Sequence, residues 1–201
     1  MQSNYRGEDG GGLPPVVGAN YEAGIKGSLN DGRLQVALAA FRIVESNRAV
    51  AVSPVIVDSC CYAAQGKVQS QGFDAELAGQ IAPGWQAMAG YTYNTSEYKR
   101  DPSYQGQSFR TFSPRHLLRL WTTYRLPGAL NAWDVGGGIN VQSGTYSEGG
   151  KPLVRATQGG YATASLRVGY RISPQWSAAL NVSNLFDRSY YTRLGLSLIH
   201  I

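Results

Sequence analysis

No run of the chain approaches the roughly 20 apolar residues of a membrane-crossing helix. Charged residues are sparse, at 15% of 201 positions. The net charge is only +5, and the basic residues are scattered rather than clustered, so nucleic acid is not indicated as a partner. There are two histidines, His116 and His200, and neither has ligand partners at metal spacing. The carboxylates Asp58, Asp74, Glu76 and Asp101 show no pairing that would mark acid–base chemistry. The glycine run Gly136–Gly138 is not followed by a helix pattern, which argues against a phosphate loop and for small residues in a sheet. An enzyme is therefore not expected, nor a resident cofactor. The cysteines are Cys60 and Cys61 alone, in neither a zinc nor a redox CxxC spacing. A bridge between neighbours is strained, so the expectation is a partner outside the chain or two free thiols. The first residues, MQSNYRGEDGGG, have no basic and apolar leader pattern, so an exported protein of this sequence is expected to be a segment of a longer one.

What is abundant is glycine (25), tyrosine (13) and strict alternation. From Tyr161 to Ile172 one parity carries Ala162, Ala164, Leu166, Val168, Tyr170 and Ile172. The other carries Thr163, Ser165, Arg167, Gly169 and Arg171. A period of two is the mark of a strand with one apolar and one polar face. The same alternation is read in Tyr21 to Leu29, Arg33 to Glu45, Lys67 to Ile81, Trp85 to Asn94, Arg115 to Leu126, Trp133 to Gln142 and Trp176 to Ser183. It breaks once, near Ala40, where Phe41 and Ile43 change sides and Arg42 falls on the apolar parity. A bulge or an interface crossing would explain that. Short turns at Asn30, Pro83, Pro127 and Pro174 alternate with long polar loops over 46–66, 95–114 and 143–160.

Eight segments of about ten residues, with short and long connections in turn, predict an all-β, antiparallel transmembrane barrel wall. The charges support this, because a charge on the lipid side costs about 2–4 kcal/mol at midplane. In seven of the eight strands the charges gather on the polar parity. Asp74, Glu76, Arg115, Arg119 and Arg167 are expected to face a lumen and to pair with each other or with a plug. Trp85, Trp133 and Trp176 each follow a short turn on the apolar parity, as a girdle at one membrane boundary requires. Tyr91 and Tyr93 fall near the other boundary.

Four segments then resemble a known family: NYEAGIKGSLNDGRLQVALAAFRI from Asn20, VQSQGFDAELAGQIAPGWQAMAGYTY from Val68, SPRHLLRLWTTYRLPGALNAWDVGGGINVQSGTY from Ser113, and NVSNLFDRSYY from Asn181. They are similar to the C-terminal barrel of TonB-dependent siderophore receptors of the hydroxamate and pyoverdine type. The resemblance implies about eight consecutive strands of a 22-stranded barrel whose lumen is plugged. It implies a Gram-negative outer-membrane location among lipid, a ferric siderophore as ligand, and the TonB complex as partner through an N-terminal part not contained here. Iron would arrive already chelated, so side chains would touch the chelator and no metal site is needed. Aromatic and cationic loop residues suit such contacts, and the candidates are Tyr93, Tyr104, Arg110, Tyr146, Lys151, Arg155, Tyr190 and Tyr191. Residues 1–195 are expected to be receptor barrel. Residues 196–201, LSLIHI, depart from the resemblance, match an in-frame sequencing adapter, and are expected to be a non-native tail. The alternative is a self-contained eight-stranded outer-membrane barrel with a structural or adhesive role, which would need its first and last strands to pair. A soluble β-sandwich binding module is the third reading.

Overall fold

A computed structural model describes residues 2, 5–52, 60–149, 154–192 and 194. The tail 196–201, Lys151 and Asp58 lie outside the described residues. Among the described residues the chain is all-β apart from one 3-10 turn at Gly128–Leu130. Its strands are β1 (Val17–Leu29), β2 (Leu34–Ala51), β3 (Tyr62–Ala82), β4 (Trp85–Arg100), β5 (His116–Arg125), β6 (Trp133–Gln142), β7 (Thr145–Gly149), β8 (Val154–Gln158), β9 (Tyr161–Arg171) and β10 (Ser177–Val182). Eight of them form one sheet in the order β1-β2-β3-β4-β5-β6-β9-β10, and β7 and β8 form a hairpin of their own. The sheet is open: β1 and β10 stand at its two ends rather than against each other. That removes the closing pair the small-barrel alternative needs.

Three expectations are corrected. Segment 143–160 is not wholly loop, because Thr145–Gly149 and Val154–Gln158 pair antiparallel within it. Strands β2, β3 and β4, at 18, 21 and 16 residues, far exceed the expected ten. Cys60 and Cys61 are neither free nor paired outside the chain but bonded to each other. The peptide between them is cis, which sets their Cα atoms 3.1 Å apart with both side chains on one side. The pattern break near Ala40 ends no strand, since β2 runs on to Ala51.

The chain divides into two compact units. Unit 2, residues 24–39, 73–93 and 111–201, holds the regular sheet. Its registers keep the sequence parities intact from strand to strand. Leu120 faces Ala89 on one side and Ile139 on the other, and Ile139 faces Ala164. On the opposite parity Arg119 faces Gly90 and Asn140, and Asn140 faces Thr163. A slip of one residue anywhere would have mixed the faces. The apolar face has no protein cover: Leu180 is 67% exposed, Leu166 48% and Ile139 39%. Among the described residues the whole chain buries only Leu34, Val50 and Val68 as apolar core. Water would penalise an apolar band this continuous at about 25 cal/mol per Å², so the band calls for an apolar covering.

Unit 1, residues 1–23, 40–72 and 94–110, is built differently. Buried Gln69 accepts from both Nε and Nη2 of Arg42, at 2.9 and 2.6 Å, and donates to Gln71. The amide of Gln2 ties the first residues to β2, donating to the Asn47 carbonyl and accepting from the Ala49 N–H. These polar contacts stand beside the buried Val50 and Val68, which also belong to unit 1.

Candidate functional site

In unit 1 the segment after β4 folds back on the strand. Asp101 starts the turn by accepting from the Ser103 and Tyr104 N–H groups at 2.9 and 3.0 Å, as Asp does before a turn proline. Backbone bonds from Tyr98 to Gln107 and from Phe109 to Ser96 then zip the return, and the Ser96 hydroxyl also donates to the Phe109 carbonyl. Three rings meet as a result. Tyr98 lies 5.5 Å from Tyr104 and 5.1 Å, edge-on, from Phe109. Two cations flank Phe109: the Arg48 guanidinium is 4.7 Å from its centroid and that of Arg110 is 5.5 Å away. Glu45 binds both, at 2.7 Å to Arg48 and 3.3 Å to Arg110. Glu45 shares its carboxylate between the two guanidiniums, and half of the Arg110 side chain is in solvent. Burial pushes the Tyr98 phenol above its ordinary value while Arg48 pulls it back, so it stays a neutral donor.

Unit 2 carries two smaller groupings. On the β7–β8 hairpin, register places Glu148 opposite Arg155. The Arg155 guanidinium lies 3.8 Å over the Tyr146 ring and 3.3 Å from the Glu148 carboxylate. The second grouping depends on the Asn-Leu-Phe-Asp corner. Asn184 and Asp187 both take positive φ, at 49° and 48°, a region Asn and Asp enter more readily than most residues. The Asn184 side chain accepts from the Arg188 N–H at 3.0 Å and donates to its carbonyl at 3.1 Å. This closed loop turns the chain back across β9, where Tyr190 stacks on Tyr161 at 4.4 Å. The Tyr191 N–H is held by the Gln158 side chain, and its own ring is 71% exposed.

Of the candidates, Tyr104 and Arg110 belong to one cluster in unit 1, linked through Tyr98 and Phe109, while Tyr146 meets Arg155 directly in unit 2, where Tyr190 and Tyr191 follow the corner. Tyr93 sits elsewhere, on the apolar parity, 5.7 Å from Phe73 and 4.9 Å from His116. The Tyr91 hydroxyl is 2.8 Å from His116 Nδ1. At the short-turn end of the same face, Trp85 meets Tyr124 edge-on at 6.2 Å and Trp133 meets Tyr170 at 4.4 Å. Trp176 stands exposed beside β10. Rows Trp85 and Tyr93 are eight residues apart, about 26 Å of strand or roughly 20 Å of height at a 40° tilt, close to a ~25 Å apolar band.

On the polar face Arg167 binds Asp134 at 3.4 Å and the Asn181 amide oxygen at 3.4 Å, so its carboxylate lies outside the expected five. Asp74 accepts from the Thr92 hydroxyl at 2.6 Å. Among the described residues no hydrogen bond or ion pair reaches Glu76 or Arg119, and Arg115 is engaged. Trp121 lies over the glycine run, with a Cβ on Gly138 set to fall 2.6 Å from its ring. Sequence reading missed Glu45, Arg48, Tyr98, Phe109, Asp134 and Tyr161. Only Asp134 carried a signal, its place on the polar parity.

The sequence matches the family described as TonB dependent receptor-like, beta-barrel, over residues 2–185. It is 41% identical to the ferric-pyoverdine M114 receptor PbuA of Pseudomonas sp. (strain M114), over 96% of this chain and 24% of that protein. It is 38% identical to the ferripyoverdine receptor of Pseudomonas aeruginosa PAO1, over 97% of this chain and 24% of that protein. The pyoverdine outer membrane receptor FpvA from P. aeruginosa PAO1, solved bound to pyoverdine, superposes with a TM-score of 0.84 at 36% identity, over 97% of this chain and 29% of that one. The chain spans about a quarter of the length of the curated relatives it matches.

Proposed function

This chain belongs to the TonB-dependent receptor-like β-barrel family, and from that premise we propose that the receptor it contributes to imports ferric siderophores, with a ferripyoverdine as ligand. It is a wall segment of an outer-membrane receptor rather than an enzyme. The observation that carries the substrate is the likeness of nearly the whole chain to receptors named for ferric pyoverdine. The uncovered apolar face supports the membrane setting, with outer-membrane lipid against it. The two cation–aromatic groupings support the ligand. Arg110 over Phe109, and Arg155 over Tyr146, offer guanidinium donors and flat apolar area to an acidic, aromatic chelate. Iron enters as cargo inside that chelate, so no protein ligands to iron are required. Energy would come from the TonB complex acting on parts of the receptor other than this segment.

The test is uptake of radiolabelled ferripyoverdine by receptor-deficient cells given the full receptor. Accumulation that needs TonB is expected, and Arg110→Ala should weaken binding several-fold while leaving receptor in the membrane. Membranes that hold folded receptor yet bind neither ferripyoverdine nor a ferric catecholate would sink the reading.

A further inference from the structure

The polar face of unit 2 contains a pocket of about 470 Å³ where β5, β6 and β9 approach the long connections. Arg119, Asn140, Gln142, Tyr161, Thr163 and Tyr190 line it. Register explains their meeting: Arg119 faces Asn140, Asn140 faces Thr163, and Gln142 faces Tyr161. Tyr190 arrives from the other direction, carried by the Asn184–Arg188 loop and laid on Tyr161. The second cross-strand neighbour of Arg119 is Gly90, which contributes no side chain and so leaves the guanidinium room.

The chemistry of this lining is one-sided. It holds one cation, two amides, two tyrosines and threonine hydroxyls, and no carboxylate. Asp134 is committed to Arg167. Glu76 lines the adjoining groove with Arg119, yet no ion pair joins them. A guanidinium presents five N–H donors in a planar fork and no acceptor. Its matching ligand is a carboxylate taken through two parallel hydrogen bonds. Carboxamides on either side suit a peptide group, donor to acceptor and acceptor to donor.

We propose that this pocket binds a carboxylate borne on a peptide-like chain, with Arg119 taking both oxygens, Asn140 and Gln142 holding the adjoining amide, and Tyr190 closing the mouth. Its natural source, on the siderophore reading, is an acidic group of the ferric chelate, so that part of the inference rests on that reading. The ion pair forms on the polar face of the sheet, opposite the apolar parity.

The test uses the full receptor in detergent and N-trifluoroacetylglycine as probe, followed by broadening of its fluorine resonance. The neutral N-trifluoroacetylglycinamide is the control. The acid should broaden and the amide should not. Arg119→Gln should reduce the effect at least five-fold, and Arg119→Lys, which keeps the charge but not the fork, should fall between Arg119→Gln and wild type. If Arg119→Gln fails to fold, Tyr190→Ala, which opens the mouth without touching the cation, should still shorten the residence and reduce broadening. Equal broadening by acid and amide, or by wild type and Arg119→Gln, overturns the pocket. So does ferripyoverdine binding without any response from the acid, which leaves the siderophore reading standing. Acid binding without ferripyoverdine binding does the reverse. Displacement of the acid by ferripyoverdine is expected, and its absence at saturation overturns the chelate as the source.

Discussion

Strands β1 to β4 each contribute residues to both units, and the two portions obey different rules. In unit 2 the portion 73–82 of β3 alternates without error, Phe73, Ala75, Leu77 and Ile81 against Asp74, Glu76 and Gln80. In unit 1 the portion 62–72 of the same strand, YAAQGKVQSQG, alternates on the opposite parity, with Tyr62, Ala64 and Val68 against Gln65, Lys67, Gln69 and Gln71. Strand β2 changes rule between Ala39 and Ala40, where the sequence pattern breaks and the units divide. Each strand runs unbroken through the change, so backbone pairing does not depend on which parity is apolar. On the proposed reading, lipid against one face of unit 2 enforces its alternation, because a charge exposed there would be expensive. In unit 1 the side chains instead build polar clusters such as Glu45–Arg48–Arg110.

The sharpest way to break this comparison is to place the same charge in both units. Ile139 lies midway between the tryptophan and tyrosine rows of the apolar face, and Ile139→Arg should cost about 2–4 kcal/mol in a bilayer. Ile43→Arg in unit 1 should cost about 0.5 kcal/mol, the range of ordinary surface changes. Urea unfolding of the receptor in phospholipid vesicles measures both. Similar costs at the two sites would remove lipid as the cause of the alternation.

A second test stays within unit 2 and asks whether its polar face is packed as well as patterned. Gly138 faces Trp121 across β5 and β6. Gly138→Ala would press a methyl against both the Leu120 carbonyl and the Trp121 indole, and overpacking of this kind costs about 1–3 kcal/mol. Trp121→Ala in the same chain should recover only the indole's share of that loss, because the carbonyl stays in place. Strictly additive losses in the double variant would mean the indole takes no share of the contact.

These two residues also show where sequence reading stops. Parity placed Trp121 and Gly138 on one face, and the registers agree with it strand after strand. Parity says nothing about which residue stands opposite, because that needs the register, and so the reason for the glycine run stayed hidden. The same gap hid Asp134 as the partner of Arg167, although both were assigned to the polar face. In unit 1 the loss is larger: the alternation fades after Ala40 in β2 and after Tyr93 in β4, so the pattern ends at Glu45 and Asn94, short of Arg48 and Tyr98, which build the cation–aromatic cluster. The β7–β8 hairpin escaped for a third reason. Its five-residue strands are too short to show a period.

The Asp134–Arg167 pair gives a smaller effect. Each side chain is about a third exposed, so solvent screens the pair and its coupling should be at most about 1 kcal/mol. A double-mutant cycle of Asp134→Asn and Arg167→Gln in the same vesicle assay measures it. Coupling well beyond that figure would show that the polar face is far drier than its exposure implies. It would also raise the expected strength of the carboxylate site at Arg119 on the same face.

The smallest effect belongs to unit 1 and to pH. Tyr98 is the thirteenth residue after Trp85, beyond the ~9–11 residues a strand needs to cross. Its phenol is raised above the ordinary value, first by burial. The folded chain therefore favours the neutral form more than the unfolded chain does. Stability from this source is complete below the unfolded value of 10 and is lost as pH climbs through the raised folded value. No change is expected between pH 6 and 9. Above pH 10 the wild type should loosen around Tyr104 and Phe109 sooner than Tyr98→Phe, read from proteolysis of the 101–110 segment. Identical alkaline behaviour in the two chains would show that the three rings are held by the Asp101 turn and the backbone pairing alone. The ring contacts would then be a consequence of the fold-back and not a cause of it.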